Sequence, residues 1–486
     1  MQTVLSEIPW ALVLILLPLA GGIACFVLTA AVRWLGLLTA SLVPIAAGGL
    51  GWQLSREGVY RHAVGGWGAP LGIDLHADGL SLLMLAMTAF VGFGVSLYAT
   101  GYFKSAHAAR FWPLWLLLLG ALNALFLSGD LFNLYVTLEL VGLSAVALTA
   151  LQGGRDALTG AMRYLLATLL GSLAYLLGVA LLYHGYGTVD LALLSERVAP
   201  SPVVWAVLGL MSAGLILKTA LFPLYFWLPP AHASAPAPVS AVLSALVVKA
   251  SFYILLRLWL EIFSDISVDV AGLFGLLGAG AVLWGSLQAL RQTRVKLLVA
   301  YSTVAQIGYL FLAYPLASGM GATAWSAMAY LVFSHALAKA AMFLAAGNLR
   351  QFGDHDRIAD LDRVVQRLPL TAGAFALAGV SIMGLPPSGG FNGKWLLLQA
   401  ALAQGRWDLV GVMFLGGLLA VGYVFKVLSN TFTQAPVTHE PISVPARMQW
   451  AAMLLATSAI LVGFLASPFL ALVGMGDPFN VGELWP

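Results

Sequence analysis

Apolar residues fall in long runs along this chain, and the runs are bounded by charge or by clusters of Gly and Pro. A run of at least about 17 apolar residues is long enough to cross the hydrocarbon core of a bilayer as a helix. Fourteen such runs are predicted, at about 8–28, 34–52, 80–100, 112–128, 130–151, 162–183, 203–228, 238–262, 271–290, 296–314, 323–347, 369–404, 409–432 and 449–475. The expected fold is therefore an all-α polytopic membrane protein with about 14 transmembrane helices. The first run starts after Glu7 rather than after a basic stretch and leads straight into the second, so it is not read as a cleaved signal.

The polar positions between runs give an orientation, because basic loops stay in the cytoplasm. Alternate loops hold Arg33, Lys104, Arg110, Arg155, Arg163, Arg291, Arg294, Lys296, Arg350, Arg357, Arg363, Arg367 and Arg447, thirteen in all. The opposite loops hold only Arg56, Arg61, Arg197 and Arg406, with Arg257 close by. This bias predicts both termini on the extracytoplasmic side of the cell membrane. The two longest loops, about 53–79 and 348–368, are too short to fold as separate domains.

Composition agrees with the pattern: 61% of the 486 residues are hydrophobic and 9% are charged, too few charges to clothe soluble domains. The single cysteine, Cys25, permits no intrachain disulfide, thiolate zinc cage or iron–sulfur cluster. A net charge of +3 is too small and dispersed for a nucleic-acid partner.

The informative residues are the ionisable ones left inside the runs. These are Lys218, Lys249, Lys339, Lys394 and Lys426, against one acid near mid-membrane, Glu139, with Asp130 at a run's edge. A charge at the bilayer centre costs about 2.5–3.5 kcal/mol on insertion scales, so function is the default reading. Lys426 lies close enough to an end to snorkel. Glu139 can form a static ion pair with a neighbouring lysine, but one acid cannot neutralise five lysines. Buried lysines close to one another have pKa values lowered toward the working range, which suits them to passing protons. His335 and Lys339 are four apart and share a helix face, as a relay would require, although a satisfied histidine beside a cavity has the same spacing. The runs hold no convincing second histidine for a haem.

Two runs contain helix breakers beside a buried lysine. Pro223 follows Lys218 by five residues, and Pro386, Pro387, Gly389 and Gly390 precede Lys394. Unwound backbone at membrane depth persists only where protein buries it or it lines a watery cavity. If runs 4–8 and 9–13 form two groups of five, the broken helix is the fourth of each, and an odd-numbered repeat inserts upside down. Two inverted five-helix repeats with discontinuous helices are an ion-coupled transporter architecture. The expected organisation is 1–111 for helices 1–3, 112–262 and 271–432 for the two repeats, and 433–486 for the last loop and helix.

Four stretches resemble the antiporter-like subunits of respiratory complex I and of the Mrp cation/proton antiporters. They are Gly129-Asp130-Leu131-Phe132-Asn133-Leu134-Tyr135-Val136 with Glu139; Lys218 through Phe226-Trp227-Leu228-Pro229 and Ala235-Pro236-Ala237-Pro238-Val239-Ser240-Ala241 to Lys249; Lys296-Leu297-Leu298-Val299-Ala300-Tyr301-Ser302; and Gly384-Leu385-Pro386-Pro387-Ser388-Gly389-Gly390-Phe391 through Lys394. The wording of the first and the span count most resemble the D-type Mrp subunits. The resemblance implies Glu139 and Lys218 as the charged pair of a first half-channel and Lys249 as the connecting lysine. By the same resemblance His335 and Lys339 continue the hydrophilic axis and Lys394 is the terminal lysine of the second half. Some related subunits carry Glu at that last position. Where many relatives read Leu-Pro-Asp after the tryptophan, this chain has Pro229-Pro230, with His232 and Ser234 following, which puts the proton entry route at that loop in question.

The implied function is proton translocation within a multisubunit Na+(cation)/H+ antiporter. The expected partners are other hydrophobic membrane subunits, lipid and H+, with Na+ as the candidate second ion and no cofactor in this chain. One buried acid is few for a dehydrated sodium ion, which favours protons here. The alternative is a proton-pumping membrane subunit of a redox-driven complex of the complex I or membrane-bound hydrogenase type. A polytopic enzyme would need clustered acids or histidines at a membrane face, and Asp354-His355-Asp356-Arg357 reads better as a solvated loop.

Overall fold

A computed structural model describes residues 8–435 and 442–479, and helix dominates it. In chain order the helices are α1 (Trp10–Val27), α2 (Val32–Glu57), α3 (Gly79–Tyr102), α4 (Ser105–Phe126), α5 (Leu131–Thr149), α6 (Arg155–Tyr186), the short α7 (Leu191–Arg197), α8 (Pro202–Thr219), α9 (Leu228–Ser234), α10 (Ala237–Ile262), α11 (Ser264–Arg291), α12 (Val295–Phe311), α13 (Tyr314–Gly353), the short α14 (Val364–Arg367), α15 (Pro369–Met383), α16 (Gly389–Ala403), α17 (Trp407–Phe432), α18 (Ala446–Leu461) and α19 (Ala466–Val473). Among the described residues, twelve helices are long and apolar enough to cross a membrane, and α12 and α15 are shorter apolar helices. The all-α polytopic class expected from the sequence is the one observed.

Three details differ from the sequence reading. The run 449–475 is not one helix, because α18 passes into a tight turn at Val462–Phe464 before α19 begins. The loop 53–79 contains an antiparallel hairpin, β1 (Tyr60–Ala63) on β2 (Asp74–Ala77), with Tyr60 opposite Ala77. Lys296 is not a loop residue: it is buried in the first turn of α12, and its ammonium donates to the Ala235 carbonyl.

The interior is built on α10 and α13, whose most apolar windows are wholly buried. Around α13 pack α3, α10, α12, α15, α16 and α18. Lipid tails are as apolar as leucine, so close backbone approach at small residues drives helix association. The structure shows this where α6 crosses α8: a Cβ added to Gly214 would lie 2.3 Å from the Gly171 carbonyl oxygen. The same occurs where α11 crosses α12, with Gly308 against the Gly278 carbonyl oxygen at 2.5 Å.

Loops predicted to share a face touch one another. His76 N–H donates to the Leu127 carbonyl (2.8 Å), Gly79 N–H to that of Met475 (2.7 Å), and Asp130 forms an isolated bridge with Asp190. At the other end Arg33 donates to the Phe103 carbonyl (2.8 Å) and Arg294 pairs with Asp356 (2.8 Å). Near the hairpin, Asp78 caps α3 through the Ser81 N–H and receives both terminal nitrogens of Arg257 at 2.6 Å. Burial alone would raise this carboxyl, but Arg257, with His76, holds it well below the usual carboxylate range.

Candidate functional site: a buried polar axis

The first half of the axis lies where α5, α6 and α8 meet. Lys218 occupies the last turn of α8, because the helix stops at Thr219 and Ala220 turns left-handed (φ 59). Pro223 lies in the unwound stretch that follows, as expected. Beyond the break the Leu217 carbonyl accepts the Ala220 N–H at 3.2 Å and, in addition, the indole N–H of buried Trp227 at 2.8 Å. The ring stacks on Tyr164, 4.5 Å between centroids, so the unwound segment is held in place.

Lys218 donates to Glu139 Oε1 at 2.7 Å. The lysine side chain is 4% exposed and the carboxylate 19%. Ser172 on α6 joins both, donating to Glu139 and accepting from Lys218. The Gly171–Gly214 crossing brings that serine within reach. Sequence reading identified the pair and missed the serine, since a serine in an apolar helix is ordinary.

In α10 the residues Leu243–Val247 form a π-turn, and Lys249 follows it. The Lys249 ammonium donates to the Ser244 carbonyl in the widened turn at 2.6 Å. Ser244 Oγ shares a 2.8 Å hydrogen bond with Thr303 on α12. Lys339 on α13 donates to Ser302 and to the Val299 carbonyl (3.2 Å) on the same helix. Further along α12, Gln306 donates to the Ile382 carbonyl at 3.5 Å. That oxygen also receives Lys394, at 2.7 Å, and the lysine sits over the Tyr309 ring, 4.4 Å from its centroid.

Val299, Ser302, Thr303, Gln306 and Tyr309 thus form one stripe on α12 that touches Lys339 and Lys394 directly and meets Ser244, the partner of Lys249, through Thr303. This stripe was missed, although its three- and four-residue spacing is visible in the sequence. Hydroxyl, amide and phenol groups carry no charge cost to mark them against an apolar background.

His335 lies one turn before Lys339 and is buried, within electrostatic reach of Lys249, Lys339 and Lys394. Neither of its ring nitrogens has a hydrogen-bond partner among the described residues, and the same is true of His232, whose ring stacks on Phe343 at 4.5 Å. The second break is Gly384–Ser388 and contains Pro386 and Pro387. Gly389 and Gly390 lie just past it as the first residues of α16, capped by Ser388 Oγ on Phe391 N–H. They permit close packing: a Cβ on Gly390 would lie 2.0 Å from the Ser381 carbonyl oxygen. Lys394 faces a cavity of about 700 Å³ lined by Met383, Phe391, Trp395, Phe414 and other apolar side chains. Lys426 stands apart, donating to the Leu290 and Gln292 carbonyls at 2.6 and 2.7 Å, a cap on the end of α11.

Taken together the groups form a polar line from Glu139 through Lys218, Lys249, Lys339 and Lys394, with cations outnumbering acids.

A family model described as NADH:quinone oxidoreductase/Mrp antiporter, TM, matches residues 128–420, and one described as NADH-Ubiquinone oxidoreductase (complex I), chain 5 N-terminus, matches residues 67–112. The NADH-quinone oxidoreductase N subunit of Desulforudis audaxviator is 38% identical over 406 residues, 81% of this chain and 80% of its own. The Na(+)/H(+) antiporter D-type subunit of Bacillus subtilis is 29% identical, covering 86% of both chains. A chain in the structure of the Mrp complex from a Dietzia species has the same fold, with a TM-score of 0.88, 24% identity and 98% of each chain covered.

Proposed function

This chain belongs to the NADH:quinone oxidoreductase/Mrp antiporter transmembrane family, and on that premise we propose that it is the proton-translocating, D-type subunit of a multisubunit Na+(cation)/H+ antiporter. The observation that carries the reading is the row of polar groups on α12 that meets Ser244, Lys339 and, through the shared Ile382 carbonyl, Lys394, together with the Glu139–Ser172–Lys218 cluster.

Protonation of one lysine changes the field at the next, since the groups sit in a low-dielectric interior where charges interact strongly. Lys218 holds its proton while Glu139 faces it. Withdrawing that pair's charge releases the proton toward Lys249, whose only direct acceptor among the described residues is a backbone carbonyl. The unpaired nitrogens of His335 are places for bridging water, because buried polar groups are nearly always satisfied. Moving one charge across 100 mV is worth about 2.3 kcal/mol. Coupling of one to two pK units between neighbours, about 1.4 kcal/mol each, is of that size.

The two broken helices, α8/α9 and α15/α16, each fourth in a group of five, support two inverted repeats over 112–262 and 271–432. The loop pairings at the two ends support the alternation of faces, and the bias of Lys and Arg between those faces supports both termini outside. The similarity to subunits of multisubunit membrane complexes supports neighbouring membrane subunits as partners.

The 38% identity with an NADH-quinone oxidoreductase N subunit favours a second reading, in which the same proton line is driven by a redox complex. Purification in mild detergent from the native membrane, with mass spectrometry of everything retained, separates the two. Small hydrophobic partners alone support the antiporter, and iron–sulfur, flavin or nickel subunits support the redox complex. In either complex, Glu139→Gln and Lys394→Ala should abolish proton transport in reconstituted vesicles with assembly intact. Full transport by both refutes the proposal.

A further inference from the structure

A second group of titratable residues lies outside the axis, around the start of α5. Asp130 uses Oδ1 to cap the helix, accepting from Asn133 N–H at 2.6 Å. Its Oδ2 is buried and has no partner among the described residues, and the residue as a whole is 7% exposed. Such a buried, unsatisfied carboxylate oxygen is costly unless it carries a proton or meets water. The acids facing it are Asp190, which caps α7, and Asp74 on β2. Beside them a cavity of about 40 Å³, roomy enough for a water molecule, is lined by Arg61, Asp74, His76, Gly129, Asp190 and Glu261. Tyr175 on α6 faces Asp130 from the interior side.

Tyr175 lies between the two groups. Its hydroxyl donates to the Leu131 carbonyl, adjacent to Asp130 in the chain, at 3.2 Å. Ser172 lies three residues earlier on α6, so both side chains share a helix face one turn apart. Ser172 in turn bonds both Glu139 and Lys218. Burial pushes the Asp130 carboxyl above the ordinary range, with Asp190 and Asp74 acting in the same direction against the amides of Asn133 and Phe132.

We propose that Asp130 is the outer proton-exchange site of the first half of the axis, connected to Glu139 and Lys218 through the hydroxyls of Tyr175 and Ser172. The proposal rests on the transport reading above. Each step moves one proton: the carboxylate takes it from the hairpin-side solution, and each hydroxyl accepts one proton and gives one up, ending unchanged.

The test uses the complex purified with its native partner subunits and reconstituted in vesicles. Proton flux is followed while pH is varied on the hairpin side alone. Asp130→Asn keeps the helix cap, since Asn caps as well as Asp, and Tyr175→Phe removes only a hydroxyl. Both should lower flux at least tenfold (about 1.4 kcal/mol or more), and Asp130→Asn should abolish the dependence on hairpin-side pH, which a merely structural cap would not govern. Wild-type flux and pH dependence in both variants, with Glu139→Gln inactive, overturns the proposal and leaves the transport reading standing. Full flux in Glu139→Gln overturns both. If Asp130→Asn fails to assemble, Tyr175→Phe decides, and wild-type flux in that variant overturns the proposal.

Discussion

At the scale of single residues, charge was legible and neutral polarity was not. Glu139 and the four lysines of the axis announce themselves because a charge in hydrocarbon has to be explained. Ser172 does not, yet it is the group that joins Glu139 to Lys218. A hydrogen bond to a charged group is worth roughly 1.5–3 kcal/mol. Ser172→Ala should therefore slow transport about tenfold or more in reconstituted complex while Lys218 and Glu139 stay in place. Unaltered flux would show that the ion pair works without its bridge. Lys296 misled in the opposite direction, because its place in a basic cluster suggested solvent and its carbonyl partner, Ala235, is 61 positions away in the chain.

Arg257 and Asp78 show a different use of charge. Removing one member of a buried pair leaves the other uncompensated and costs about 3–5 kcal/mol. Arg257→Met should thus reduce the melting temperature and the yield of purified complex, measured by thermal unfolding in detergent. The Asp78 carboxyl is held below its unfolded value, so its contribution is complete above the unfolded pKa, about 3.9. It is lost only as pH falls through the still lower folded value. Between pH 5 and 8 the wild-type melting temperature should not move on account of this pair.

At the scale of elements, apolar run length gave the helices, and breakers gave the interruptions at Pro223 and Pro386-Pro387. The hairpin at Tyr60–Ala77 was not legible, because eight strand residues in a short loop have no period distinct from their surroundings. Nor were the π-turns of α10 legible, since a one-residue insertion in a helix leaves no compositional trace. The first of them aims Lys249. Deleting Ala245 would take out the inserted residue and close the widened turn into regular α-helix, changing the spacing by which Lys249 reaches the Ser244 carbonyl. Transport should fall to background while the complex still assembles. Retained transport would mean that Lys249 acts without this alignment.

At the scale of the whole molecule, the resemblance in four motifs was enough to anticipate the family, and the structure adds the course of the axis between them. That course runs along α12, a helix that the sequence reading met as the run 296–314 and through its Lys296–Ser302 motif, without its polar stripe. It became visible once tertiary packing set Ser302, Thr303 and Gln306 against α10, α13 and α15. Lys339 is bonded to α12 at Val299 and Ser302, beside the Thr303 contact with α10 and about one turn before the Gln306 and Tyr309 contacts near Lys394. The most direct measurement is proton movement across vesicles holding the reconstituted Lys339→Met complex after a pH jump on one side. Conduction along a single continuous axis requires that protons stop in this variant, with assembly and lipid tightness equal to wild type. Wild-type proton movement through Lys339→Met would contradict it and place the conducting route elsewhere in the molecule.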